Sequence, residues 1–336
     1  MSEQAPRLQA RLVMEERRRQ DVYPGDVIDA IDDVVDLVRP FLTAEQLSAE
    51  PDALRTCDVL LTGWGAPVID ADLLARAPRL RAVLHAAGSV KHIVTSTTWQ
   101  SDVAVVSAAA ANAAPVAEVT AAQIVLAARG VPASRREYHR SRDLSAAGAA
   151  HGATGRTIGL LGLGEIGGRV AERLRDMRST LLAHDPFASA AEAAGLGMEL
   201  VALDELFERS DVLSLHAPLL PETTGLVGRR LLERMPWGAT LINTARGGLI
   251  DEGDLVCVLR HRTDLTAQLD VTVSEPPRAD SALWTLENVE LTPHIAGSME
   301  ADRGAMGRLV AEELARFAQG LPLQHRLAPD QLEHRA

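Results

Sequence analysis

Between Thr157 and Phe187 the chain sets three glycines and one acid at a spacing that could hold a dinucleotide. Residues 158–161 are a short apolar run of the buried-strand type, and Val170, Leu174 and Met177 recur at helical spacing behind the glycines. Strand, tight turn and helix are expected, and a second apolar run, 181–183, leading to Asp185 closes a βαβ unit. In that setting Gly162-x-Gly164-x-x-Gly167 has a use. Gly162 permits the sharp turn, Gly164 lets a pyrophosphate approach the backbone, and Gly167 lets the helix pack on the strand, while the helix N-terminus offers free N–H groups. Asp185, 18 residues beyond Gly167, can accept hydrogen bonds from a ribose 2′-hydroxyl and would repel a 2′-phosphate. No Lys or Arg occurs between Pro186 and Leu200, so NAD(H) is favoured over NADP. The bare glycine spacing also fits an ordinary turn; the strand, helix and acid in register favour the cofactor.

Short strand followed by helix then recurs. Strands are expected at 211–216, 240–245, 266–271 and 289–291, with helices at 203–207, 231–235 and 251–259. Joined by crossovers, these strands make an open parallel sheet that binds ligands at its carboxyl ends. His216, Arg246, Asp270 and His294 fall at those ends.

Before this unit, residues 1–111 read as a smaller α/β unit, with strands at 12–14, 59–62 and 80–85 and helices at 27–37 and 73–77. The strand ending at His85 meets the small-residue loop Ala86-Ala87-Gly88-Ser89-Val90, whose N–H groups could hold an anion, although an ordinary turn fits equally. Pro115 suits the first position of a helix that stays apolar on nearly every face to Arg129 and so needs covering all round. Residues 132–155 show no strong period and read as an arm. A helix over 299–317, capped by Ser298, would return the chain to the first domain. The expectation is an α/β protein of two doubly wound parallel sheets, Rossmann-like and flavodoxin-like, with a cleft between them. Residues 1–111 with 298–336 would form the substrate domain, and 112–297 the NAD-binding domain.

At 336 residues the chain is long enough for two cores. A net charge of −12 argues against a nucleic-acid surface. Cys57 and Cys257 have no metal-ligand spacing, so no metal site is expected, and two distant cysteines suit a reduced, cytoplasmic setting. No signal-type apolar segment opens the chain and no uninterrupted run of 18 apolar residues occurs, so no membrane role is expected.

In order and spacing, the glycine motif with Asp185, Ser-Leu-His216-Ala-Pro-Leu, Asn243-Thr-Ala-Arg246-Gly-Gly, Leu-Asp270-Val-x-x-Glu275-Pro and Thr-Pro293-His294-Ile-Ala-Gly resemble the D-isomer-specific 2-hydroxyacid dehydrogenases, over roughly residues 60–318. The resemblance implies Arg246, Glu275 and His294 as the catalytic set. It implies cofactor contacts from Gly162, Gly164, Glu165, Ile166, Gly167, Asp185, His216, Ala217, Thr244, Ala245, Asp270 and Gly297, with Asp270 on the nicotinamide side. It implies substrate contacts from Ala87, Gly88, Ser89, Arg246 and His294, a small anionic 2-oxo or 2-hydroxy acid as substrate, and a homodimer built around the apolar helix and arm.

The residue types suit that chemistry. A histidine can deliver and recover the proton on the C2 oxygen, a carboxylate can hold the imidazole in one tautomer, and a guanidinium can grip a carboxylate with forked donors. Singly, each has a plainer use: a structural histidine, an arginine at a helix C-terminus, a turn glutamate before Pro276. Their shared strand-end location beside the cofactor motif favours catalysis. The sequence also departs from the family. Ala-Ala-Gly88-Ser89-Val-Lys91 stands where Gly-x-Gly-x-Asp-Asn is frequent, Val119 follows Val-Ala-Glu where a histidine is frequent, and no regulatory domain is expected beyond Ala336. Substrate identity therefore stays open. An NAD(H)-sensing corepressor-like protein and a phosphite- or phosphonate-oxidising enzyme are the alternatives.

Overall fold

A computed structural model describes residues 7–329, divided into two compact units. One runs up to Ala113 and resumes at Ser298; the other is Ala114–Gly297. The outermost parts of the expected substrate domain, 1–6 and 330–336, lie outside the described residues.

The first unit is built on five parallel strands, β1 (Gln9–Val13), β2 (Asp36–Leu42), β3 (Val59–Thr62), β4 (Ala82–His85) and β5 (Ala104–Ser107), in the order β2-β1-β3-β4-β5. This is the flavodoxin-like order. Every residue of β3, β4 and β5 is buried, as expected of parallel strands covered on both faces. Because side chains alternate, Leu61 and Leu84 enter one core with Ile31, Met306, Val310 and Leu314, while Leu60 and Val83 enter the other with Ile69 and Leu73.

Two of these strands were not expected. The helix anticipated over 27–37 stops at Val34, and the chain turns at once into β2, whose Asp36, Arg39 and Pro40 break the apolar pattern. Proline is tolerated there because β2 is a sheet edge. β5 has only four residues, too few to show a period. The return helix also differs. A 3-10 turn, Glu300–Asp302, precedes the α-helix Arg303–Ala318, and neither has a side-chain cap. Ser298 is not a cap; its N–H donates to Asn112 Oδ1 at 2.9 Å.

The second unit is a seven-stranded parallel sheet: β6 (Thr157–Leu161), β7 (Thr180–His184), β8 (Glu199–Leu200), β9 (Val212–Leu215), β10 (Thr240–Asn243), β11 (Thr266–Leu269) and β12 (Val289–Leu291), in the order β12-β11-β10-β9-β6-β7-β8. Strand order reverses at β6/β9, the Rossmann switch point. The short edge strand β8 is an addition to the expected set.

The apolar helix begins at Ala109, so Pro115 lies inside it rather than opening it. The alanine-rich stretch before Pro115 favours helix strongly enough to extend it upstream. Length and composition alone would let this helix cross a membrane, yet Ala117, Ala121, Ile124 and Ala128 pack into the sheet core with Ile158, Leu160 and Ile242. Val119, Val125 and Leu126 stay exposed. The expected arm contains a helix, Val131–Ser141, and a 3-10 segment, Leu144–Ala149.

In the first unit the helices Glu16–Val22 and Arg303–Ala318 meet where Gly307 lies against Val22, and a Cβ on Gly307 would run into the Val22 backbone oxygen. Gly307→Ala should therefore cost about 1–3 kcal/mol. Gly25→Ala, with open space around it, should cost nothing or stabilise slightly. Denaturant unfolding of the two variants checks the contrast, and equal stability would refute the close packing.

Candidate active site

The sheet of the second unit puts the last residues of six strands in one register row. His184 pairs with Leu161, Leu161 with Leu215, Leu215 with Asn243, Asn243 with Leu269, and Leu269 with Leu291. The next residue after each is Gly162, Asp185, His216, Thr244, Asp270 or Thr292. Parallel pairing alone thus gathers Gly162, Asp185, His216, Thr244 and Asp270 of the expected cofactor contacts onto one edge.

Gly162 has a φ of +102°, and a Cβ on it would lie 2.8 Å from the Ala217 backbone nitrogen. A Cβ on Gly167 would strike the Gly162 carbonyl, whereas Gly164 has nothing within 4 Å. The three glycines therefore serve turn, open approach and helix packing. Helix Glu165–Leu174 starts at Gly164 with no side-chain cap, which leaves its first N–H groups for an anion. Ile166 is half-buried against the core below, and Glu165 is exposed and paired with Arg169 at 2.7 Å. Asp185 reaches the turn: one carboxylate oxygen accepts from Leu163 N–H at 2.8 Å and the other from Phe187 N–H at 2.9 Å.

His216 backs the glycine turn. Burial pushes its imidazole down to about 4, so it is neutral near pH 7, and Nε2 is buried without a partner among the described residues. Thr244 and Ala245 are buried, the Thr244 hydroxyl hydrogen-bonding that of Thr120 at 2.8 Å.

Arg246 follows a turn stapled by Asn243, a fully buried residue whose side chain accepts from Ala245 N–H at 3.0 Å and donates to the Arg246 carbonyl at 2.9 Å. Beyond it, a Cβ on Gly247 would collide with the backbone at Thr272, so the chain can pass close to the segment leading to Glu275. Burial pushes the Arg246 guanidinium down from its usual value, and the charge of Glu275 pushes it up. His294 Nδ1 meets Glu275 Oε2 at 2.7 Å.

The backbone at His294 is left-handed, with φ of 54°. Asp270 holds it there. Its carbonyl accepts from His294 N–H at 2.9 Å, and its buried carboxylate accepts from Thr292 Oγ1 at 2.5 Å, Ile295 N–H at 2.9 Å and Ala296 N–H at 2.9 Å. A recess of about 500 Å³ opens beside the dyad, lined by Glu275, Pro276, Pro277, Trp284, Pro293 and His294 among others. Gly297, half-buried, is the last residue of this unit before Ser298.

In the first unit, Ala87, Gly88 and Ser89 follow β4, and among the described residues their amides make no backbone hydrogen bond. Asn243, Gly247 and Thr292 were in sight in the sequence without a role. An Asn three residues before an Arg at a strand end, the Asx-turn pattern, was the available signal for Asn243.

Residues 121–296 match the family model described as D-isomer specific 2-hydroxyacid dehydrogenase, NAD binding domain. Over 257 residues the chain is 34% identical to a D-3-phosphoglycerate dehydrogenase of Archaeoglobus fulgidus, covering 76% of this chain and 49% of the relative. Over 271 residues it is 37% identical to that of Mycobacterium tuberculosis, covering 80% and 50%. The chain thus spans about half the length of these curated relatives. Among solved structures it is similar to a Thermus thermophilus protein (TM-score 0.76, 27% identity, 96% of this chain and 100% of that one). Its fold is shared by the D-mandelate dehydrogenase of Rhodotorula graminis (TM-score 0.81, 24% identity, 96% and 98%). The chain belongs to the D-isomer specific 2-hydroxyacid dehydrogenase family and carries that family's NAD-binding domain.

Proposed function

We propose that the chain is an NAD-dependent oxidoreductase interconverting a small 2-oxo acid and its D-2-hydroxy acid. The observation that carries this reading is the His294 Nδ1–Glu275 Oε2 bond of 2.7 Å, with Arg246 near enough to feel the charge of Glu275, on the sheet edge that also bears the glycine turn. The open space at Gly164, the uncapped helix start and Asp185 beside the turn fit a dinucleotide.

When bound, the cofactor supplies a hydride to C2 of the oxo acid. His294 donates the matching proton to the C2 oxygen from Nε2, because Nδ1 is committed to Glu275; in oxidation it takes that proton back. Glu275 holds the tautomer and stabilises the imidazolium. Arg246 grips the carboxylate and polarises the carbonyl, and we assign the amides of Ala87, Gly88 and Ser89, which make no backbone hydrogen bond among the described residues, to carboxylate binding. Asp185 accepts from the adenosine ribose. The remaining assigned cofactor contacts, Glu165, Ile166, His216, Ala217, Thr244, Ala245, Asp270 and Gly297, belong to the same proposal. The relatives' names add 3-phosphoglycerate to the acids worth testing. Exposed Val119, Val125 and Leu126 on one helix support a homodimer, and a monomer by light scattering at micromolar concentration would refute it.

His294→Ala and Arg246→Ala should each lower turnover by about 10² to 10⁴ fold while NADH binding, followed by fluorescence, stays within a few fold. An undiminished rate in either variant would overturn the assignment. The assay is NADH oxidation with glyoxylate, pyruvate, hydroxypyruvate and phenylpyruvate, and NAD reduction with 3-phosphoglycerate. Tight NADH binding with no turnover on any acid would favour a sensing role instead. Asp185→Ser should weaken NAD far more than NADP, and equal losses would mean that Asp185 does not read the ribose.

A further inference from the structure

β3, β4 and β5 end in one register row of buried polar residues, Thr62, His85 and Ser107. His85 is fully buried; its Nδ1 lies 2.9 Å from Thr62 Oγ1, and its Nε2 is buried with no hydrogen bond among the described residues. The ring meets His92 edge-on with centroids 5.9 Å apart. Thr62 is held in turn, its carbonyl accepting from Tyr23 Oη–H at 2.9 Å and Ala86 N–H at 2.8 Å. Above the imidazole, the carbonyls of His85 and Ala87 both accept from Ala108 N–H, at 2.9 and 3.2 Å.

Every polar backbone group in that list belongs to the frame of the loop, while the amides of Ala87, Gly88 and Ser89 remain unused. A buried polar ring with one nitrogen unpaired is destabilising relative to a satisfied one. Phenylalanine or leucine would fill the position without that cost, so packing does not explain a histidine here. Burial and the neighbouring His92 push the imidazole down to about 3, so it works as a neutral ring.

We propose that His85 is a positioning residue which, through Thr62, whose carbonyl holds Ala86 N–H at the root of the loop, sets the Ala87–Ser89 amides to receive the substrate carboxylate. The proposal rests on the reading of that loop given under the proposed function. His85 acts through the loop, and its loss is expected in substrate affinity rather than in the chemical step.

The test compares His85→Phe, which keeps the ring volume and removes both nitrogens, with His85→Asn, whose amide can regain the bond to Thr62. Steady-state kinetics with the best 2-oxo acid are measured alongside calorimetric binding of oxamate in the presence of NADH. His85→Phe should raise KM and the oxamate Kd tenfold or more, with kcat within threefold and NADH affinity within twofold of the parent. His85→Asn should recover most of the loss. A KM and oxamate Kd for His85→Phe within twofold of the parent would overturn the proposal, as would a parallel fall of kcat and NADH affinity in both variants. If His85→Phe does not fold, Thr62→Val severs the same bond with the imidazole retained and is read by the same criteria. A parent protein inert toward every acid would sink the functional reading alone, because oxamate binding still decides the role of His85: weaker binding in the variant supports it and equal binding refutes it.

Discussion

Everything proposed for the catalytic edge depends on parallel strand register. A one-residue slip in any strand would turn its side chains to the opposite face and carry its terminal residue out of the row. β6, β9 and β10 are buried on both faces apart from the half-buried Thr157, and a slip would draw flanking polar residues such as Arg156 and Asp211 into that interior. The chemistry-bearing residues need no dedicated scaffold, since each is the next one, or a few, past a strand that the core already holds.

The His294 corner illustrates how that frame offsets local strain. A left-handed non-glycine residue costs about 1–2 kcal/mol. Three hydrogen bonds to the Asp270 carboxylate, each about 1.5–3 kcal/mol as bonds to a charged group, outweigh it comfortably. Asp270 was anticipated as a contact on the nicotinamide side; within the chain its carboxylate also holds the turn that aims the histidine. Asn243 does the same for Arg246 with a neutral amide.

The glycine cradle and the strands from β6 onward, apart from the two-residue edge strand β8, were legible because apolar runs of buried parallel strands are bounded sharply by glycine, aspartate and proline. The first unit was harder to read. β2 carries charges and a proline that only an edge accepts, and β5 is four residues long. The helix boundary at Pro115 failed because a local rule for proline was outweighed by seven upstream residues rich in alanine. Arg246 and His294 stood out as polar residues after strands. Thr292, Gly247 and His85 did not, because their partners, the Asp270 carboxylate, the Thr272 backbone and the Thr62 hydroxyl, become neighbours only when strand ends align.

Between Thr272 and Leu291 the chain leaves the sheet and returns, bringing Glu275 with it. Both ends of this excursion are pinned independently of its interior: Gly247 packs against Thr272 at one end, and Asp270 grips Thr292, Ile295 and Ala296 at the other. The stretch from Pro277 to Leu286 is thereby released from the duty of aiming the histidine. Insertions or exchanges there can remodel the wall beside the His294–Glu275 pair, including Trp284, while that pair keeps its alignment, so the lining of the recess can change without the pair having to be rebuilt.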